Sequence, residues 1–319
     1  MSIIGIDIGG TSVRQVLLRR DGTVVARQRL STAPEQGANQ TIAMIIRATR
    51  ELASTVAGDP IEAIGIGVTG PVDAFTGIVS NPFTLGGWPP TDLRTPFETA
   101  FAVPVAVDND ANVAAVGEWW LGAGRAGARV TMVTIGTGIG VATLIGGQIQ
   151  RSTKGQHGEA GHMVLDPFGE ACYCGAHGCW EVLASGSALD RYARALAESG
   201  DSQLGKLTNR RPELANSALL FSSAAAGDAA AQRAIDVVAG WWGLGLVNLA
   251  STLMPDLFVL SGGVMEHFES VRATVESVLK RHSTMVPANV PLAVATLGED
   301  AGAVGAAKLA LDLTSPSPT

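Results

Sequence analysis

Three cysteines, Cys172, Cys174 and Cys179, fall within eight positions, with glycines at 175 and 178 that let the loop close around a tetrahedral ion. Three thiolates need a fourth ligand. His157, His162 and His177 are all near, and His162, in the stretch GEAGHM ten residues before Cys172, is the one assigned. Such a set has no obvious open position, so a zinc ion there orders the loop rather than reacts, at about 10 kcal/mol of local folding energy. An odd, clustered set also suits metal binding in a reducing compartment better than a disulfide framework. Glu159 and Glu181 flank the loop, either as solvated acids or as carboxylates held to accept hydrogen bonds from sugar hydroxyls.

A second group of residues suits phosphate. In DIGGT, Asp7 to Thr11, two glycines after a strand let the backbone approach a phosphate, Thr11 offers a hydroxyl and Asp7 can face magnesium. Alone it reads as an ordinary hairpin turn. The turn Gly136, Thr137, Gly138, Ile139, Gly140 repeats the donors in the second half, and the two together could clamp a polyphosphate. Neither is a Walker A loop, since the near match from Gly200 to Lys206 continues with Leu207, and no βαβ unit follows Gly9 and Gly10 as a dinucleotide fold requires. Asp108, Asn109 and Asp110 end an apolar strand where a helix begins. They read equally as a helix cap or as the source of a base for a hydroxyl attacking phosphorus.

The elements that position these groups follow from pattern. The chain has 319 residues, 46% hydrophobic and 16% charged, which suits two lobes, and its net charge of −7 carries no long basic run to attract nucleic acid or anionic lipid. An acid within the first seven residues and no basic leader predict a cytoplasmic protein without a signal peptide. Residues 237–255 lack charge but hold three glycines and Pro255, which predicts a buried helix rather than a membrane span. Strands are expected at 2–8, 13–18 and 23–26, a helix over 38–57, a strand at 63–68, a Pro- and Gly-rich loop over 69–91, and a strand over 104–107 leading into a helix over 111–121. The meander at 3–25 recurs at 129–149, predicting two related α/β lobes around a cleft. Helices near 186–198 and 228–252, a strand at 257–260, a helix to about 281 and a closing helix complete the chain, and the tail 315–319 is expected to fray. The first lobe is placed at 1–108 with the closing helix, about 300–314; the second at 109–299. Trp88 could pack near a sugar or in the core.

In order along the chain, DIGGT, DNDAN (108–112), IGTGIG (135–140), GEAGH (158–162) with CYCGAHGCWE (172–181), and LSGGV (260–264) resemble the motifs of the ROK sugar kinases. The resemblance covers nearly the whole length. It implies an α/β, actin-like (ribonuclease H-like) two-lobe ATPase fold with a central cleft, and ATP-dependent phosphorylation of a hexose, glucose at its 6-hydroxyl first. Asp110 is then the base, and Asn109, Asp110, Glu159, His162 and Glu181 contact the sugar, His162 serving zinc too, with Gly70 and Asn81 on the sugar's other wall. ATP is implied along Gly9, Gly10, Thr11, Gly136, Thr137, Gly138, Gly262 and Gly263, with magnesium near Asp7, and lobe closure excludes water. Ser12, Val141, Ala142, Ser261 and Asp108 depart from the family's usual residues. The alternatives are an N-acetylglucosamine or N-acetylmannosamine kinase and a non-catalytic sugar-binding protein. The family's repressors carry a DNA-binding segment ahead of the first phosphate motif, which here begins at residue 7. Family members are commonly homodimers or homotetramers, for which the helices near Trp119, Trp120, Trp241 and Trp242 offer a surface or a core.

Overall fold

The structure, a computed structural model, describes residues 1–56, 58–81, 84–125, 127–153, 155–199, 202–282 and 289–314. The tail expected to fray, 315–319, lies outside them. In chain order the elements are β1 (Ser2–Ile8), β2 (Ser12–Arg19), β3 (Val24–Ser31), α1 (Ala38–Ser54), β4 (Ile61–Val68), the short strands β5 (Val72–Asp73), β6 (Ile78–Val79) and β7 (Thr91–Asp92), α2 (Arg94–Phe101), β8 (Val105–Asn109) and α3 (Asp110–Leu121). There follow β9 (Arg129–Ile135), β10 (Ile139–Ile145), β11 (Gln148–Ile149), α4 (Trp180–Ala184), α5 (Gly186–Ser199), α6 (Leu204–Leu207), α7 (Ser217–Ala225), α8 (Ala229–Leu253), β12 (Leu257–Ser261), α9 (Phe268–His282), β13 (Leu292–Val294) and α10 (Ala301–Leu313).

The two main sheets have the orders β3-β2-β1-β4-β8 and β11-β10-β9-β12-β13. Counted within its own sheet, each reads third, second, first, fourth, fifth, so the repeated meander is a repeated sheet. In the first, β1 pairs antiparallel with β2 and parallel with β4, and β4 runs parallel to β8. Parallel strands are covered on both faces and so read as near-continuous apolar runs, which is why Ile3, Ile4, Ile6 and Ile8 of β1 are all fully buried. Burying each such side chain contributes about 1.5–3 kcal/mol.

The chain divides into two compact units, Met1–Thr131 with Ala142–Gly158 and Ala295–Thr319, and Met132–Val141 with Glu159–Val294. The expected boundary at 108/109 thus moves past α3, and residues 295–299 join the first unit with the closing helix. The reason is a close approach between helices: a Cβ on Gly305 of α10 would lie 1.6 Å from the Val113 carbonyl oxygen of α3, so small residues press the two helices together. Glu118 locks the arrangement. Fully buried, it accepts hydrogen bonds from the Ala123, Thr296 and Leu297 backbone amides at 2.8, 3.0 and 2.7 Å.

In the first unit, α1 buries Ile42, Ile45, Thr49 and Leu52, one helical face at three- and four-residue spacing. Trp88 belongs to this core, with its indole N–H on the Pro34 carbonyl at 3.3 Å, which settles its role as packing. Trp120 is partly buried against the cluster that contains α10.

In the second unit, α8 starts at Asp228, whose carboxylate accepts from the Ala230 and Ala231 amides. Length and composition would let α8 cross a membrane, but 56% of its most apolar window is buried. It is a core helix, with Trp242 buried in it and Trp241 packed partly against the same cluster.

Candidate active site and metal centre

In the first unit, β8 carries Asp108 and Asn109 at its end and α3 begins with Asp110. Asn109 is the helix cap: its side-chain oxygen accepts from the Ala111 and Asn112 amides at 2.9 and 3.4 Å. Its amide nitrogen donates to the Gly70 carbonyl at 3.0 Å. Gly70 sits at φ +95°, and a Cβ there would lie 2.4 Å from Asn81 Nδ2. That nitrogen in turn donates to the Thr69 carbonyl at 2.9 Å. Gly70, Asn81 and Asn109 therefore form one network beside Asp110.

Asp108 is buried and not available as a base. It receives the Asn109 amide at 2.7 Å and Asn112 Nδ2 at 2.8 Å, and it forms a two-point ion pair with Arg151, one contact being 3.1 Å. Asp110 is different. Burial pushes its carboxyl above the ordinary range, opposed by the Ala111 amide, the Thr69 hydroxyl and the charge of His157. Asp7, at the end of β1, is pushed up to about 7, first by burial and then by the charge of Asp110, against the pull of Arg14. Two carboxylates that repel in a partly desolvated place fit a cation between or beside them. Gly302, in the first turn of α10, makes room for Asp7, since a Cβ there would be 2.7 Å from the carboxyl carbon. Beyond β1 the turn closes with the Gly9 amide on the Ser12 carbonyl at 3.0 Å, and Gly10 passes the Thr84 carbonyl closely enough that a Cβ would be 3.3 Å away. Thr11 is exposed at its tip.

In the second unit, the turn after β9 closes with the Gly136 amide on the Gly138 carbonyl at 2.9 Å, and the Gly186 amide, at the start of α5, donates to the Gly136 carbonyl at 2.7 Å. Gly262 lies against the same strand end: at φ +100°, its Cβ would fall 2.1 Å from the Ile135 carbonyl oxygen. Thr137, Gly138, Gly262 and Gly263 thus share one region. Val141 and Ala142 lie inside β10, buried, beyond the turn itself.

Glu181 lies in the first turn of α4 and accepts the Ile139 amide at 2.8 Å through Oε2. The same oxygen would be 2.1 Å from a Cβ on Gly138, so the glycine of the turn is also what admits the carboxylate. Glu159 is exposed at the start of the short helical turn Ala160–His162.

His162 and the three cysteines present four ligand atoms all within 4.8 Å of one another. Cys172 Sγ is 3.5 Å from His162 Nδ1, and the Cys174 and Cys179 sulfurs are 3.6 Å apart. A tetrahedral ion with bonds of about 2.0–2.3 Å needs its ligands about 3.5–3.8 Å apart, so the set fits one. His177 faces elsewhere, its Nδ1 on the Gly169 carbonyl at 3.2 Å. Tyr173, between two of the ligands, places its hydroxyl 3.1 Å from His162 Nε2. Burial and the negative groups Glu181 and Cys172 push its phenol up to about 12. Sequence reading had passed over Tyr173, Arg151 and Gly302, and had weighed His157 only as a metal ligand. Only Tyr173, between two proposed ligands, carried a local signal.

A sheet of one order built twice, with a glycine turn after the first strand of each copy, defines the actin-like class of ATPase folds. Residues 3–313 match the ROK family, and the chain belongs to it. A glucokinase of Halalkalibacterium halodurans is 32% identical over 307 residues, 95% of this chain and 92% of that one. Among solved structures, a ROK family glucokinase from Streptomyces griseus in complex with glucose and AMPPNP is 34% identical, with a TM-score of 0.79, covering 98% of this chain and 100% of that one. The ROK hexokinase from Thermus thermophilus is 32% identical, with a TM-score of 0.84, covering 98% and 99%.

Proposed function

We propose that this chain is an ATP-dependent hexose kinase that transfers the γ-phosphoryl group to a hydroxyl of glucose, with Asp110 taking the hydroxyl proton. The observation that carries the reading is the placing of Asp110: a buried carboxylate at the start of α3, its proton affinity raised by that burial, beside a neighbour, Asp108, already committed to Arg151, the Asn112 side chain and the Asn109 amide. A base with proton affinity raised toward the operating pH is suited to general-base work. Full-length similarity to a kinase solved with glucose and AMPPNP supports both substrates.

The remaining roles follow the same reading. Asn109, Gly70 and Asn81 contact the sugar, and Glu159, His162 and Glu181 supply further polar contacts to it. The glycine turns at 9–11, 136–138 and 262–263 offer backbone donors to ATP, and Asp7 holds magnesium, which neutralises charge on the transferring phosphates. Zinc on His162, Cys172, Cys174 and Cys179 orders the loop that presents His162 and Glu181. An assay of ADP release with ATP and magnesium over glucose, mannose, fructose, N-acetylglucosamine and N-acetylmannosamine tests the reading. Saturable turnover on glucose that Asp110→Asn abolishes is the expected result. Silence across the panel, with fold and zinc intact, rejects it in favour of a non-catalytic binder.

A further inference from the structure

Tyr173 is no part of the metal donor set, yet its hydroxyl ends on two groups of the proposed sugar site. It lies 3.1 Å from His162 Nε2, the rings meeting edge to face at 83° with centroids 5.2 Å apart. The Glu181 carboxylate lies near enough to the same hydroxyl to raise its pKa. His162 fixes the direction of these bonds. Its Nδ1 faces Cys172 Sγ, and with Nδ1 committed to the metal centre the ring proton resides on Nε2. Nε2–H then donates to the tyrosine oxygen, which leaves the tyrosine O–H to turn toward the Glu181 carboxylate.

A donor and a carboxylate converging on one oxygen select a group that accepts and donates through a single atom, which is what a hydroxyl does. A sugar hydroxyl has the same capacity and, by the reading above, the same two partners. Tyr173 is also placed to move. It is second in the turn closed by the Gly175 amide on the Cys172 carbonyl at 3.0 Å, and it is 71% exposed, so its side chain can leave without shifting the flanking cysteines.

Resting on the hexose kinase reading, we propose that Tyr173 is a specificity-determining residue of the sugar site: its hydroxyl competes with one sugar hydroxyl for His162 and Glu181, and the sugar binds by displacing it. A sugar with that hydroxyl replaces one pair of hydrogen bonds by an equivalent pair. A deoxy analogue cannot, because expelling the phenol would leave both polar groups unpaired.

Calorimetric titration of wild type and Tyr173→Phe with glucose and a series of monodeoxyglucoses, with zinc content measured alongside, tests this. Tyr173→Phe should keep its zinc and bind glucose about two- to tenfold more tightly, the range expected for removing one competing hydrogen-bonded group. One monodeoxyglucose, lacking the hydroxyl that replaces the phenol, leaves the phenol in place and should show none of this gain. Wild type that binds glucose while Tyr173→Phe binds it equally or less tightly overturns this inference alone. Loss of zinc from Tyr173→Phe also overturns it, by making the hydroxyl part of the metal centre's support. Wild type that binds no sugar overturns the kinase reading together with it.

Discussion

Replacing Asp110 with asparagine separates proton acceptance from every other duty of the 108–110 segment. Asn109, not Asp110, caps α3, and an amide oxygen at 110 can keep the 2.8 Å bond from the Ala111 amide. The fold should therefore survive while the basic oxygen is lost. General-base catalysis contributes about 10²- to 10⁴-fold, or about 3–5 kcal/mol of barrier. The loss should fall on kcat, with the glucose KM changed by less than about threefold. Wild-type activity should decline as pH falls through the raised Asp110 pKa, by about tenfold per unit, and the residual activity of Asp110→Asn should lack that limb.

Stability should respond in the opposite sense. A carboxyl whose pKa folding raises stabilises the protein least at high pH: the loss begins above the unfolded pKa and is complete above the folded one. The Asp110 charge also contributes to holding Asp7 near 7, so asparagine at 110 relieves a second carboxylate. The Tm of Asp110→Asn should exceed that of wild type at pH 8 and converge with it near pH 4. ADP-release kinetics and thermal melts at the two pH values measure both effects. More than about a tenth of wild-type kcat, or a lower Tm at pH 8, would refute the reasoning.

Cys174→Ser should lower zinc content and thermal stability together, by part of the roughly 10 kcal/mol a structural zinc supplies; full zinc stoichiometry by native mass spectrometry would reject the ligand set. Gly138→Ala puts a methyl group 2.1 Å from Glu181 Oε2 and should drive that carboxylate off the Ile139 amide. Glucose affinity should weaken about tenfold, and unchanged affinity would mean Glu181 does not contact the sugar. Glu118→Gln exchanges one amide-accepting carboxylate oxygen for a donor and should cost about 2–4 kcal/mol in urea melts at unchanged kcat. An unaltered urea midpoint would refute its role as a clamp on α3.

What the sequence disclosed follows the range over which each interaction acts. The meander at 3–25 and its copy at 129–149 were legible because strand and turn signals are local, and the cluster of His162 with three cysteines because its four members lie within eighteen residues. The choice of His162 over His177 agrees with the ring facing Cys172. The small sheet β5-β6-β7 left no such trace, its strands being two residues each, and α7 was missed for want of a clear apolar stripe.

The two compact units divide the chain elsewhere than expected because α3 meets α10 almost two hundred residues later, and glycine in a helix says nothing of its partner. Asp108 shows the same limit. Its departure from the family's more frequent Glu looked like a change in the catalytic segment, yet the structure pairs it with Arg151, 43 residues on, and leaves Asp110 as the carboxylate whose proton affinity burial raises.

Gly138 shows what such a distant pairing adds to a local motif. Read alone, it is a glycine that lets backbone approach phosphate. In the fold it also admits Glu181, 43 residues on, to the Ile139 amide. One residue thus answers to a phosphate-facing turn and to a carboxylate assigned to the sugar. If both assignments hold, Gly138→Ala should weaken ATP and glucose together, whereas an effect on ATP alone would leave Glu181 as a support of the turn and nothing more.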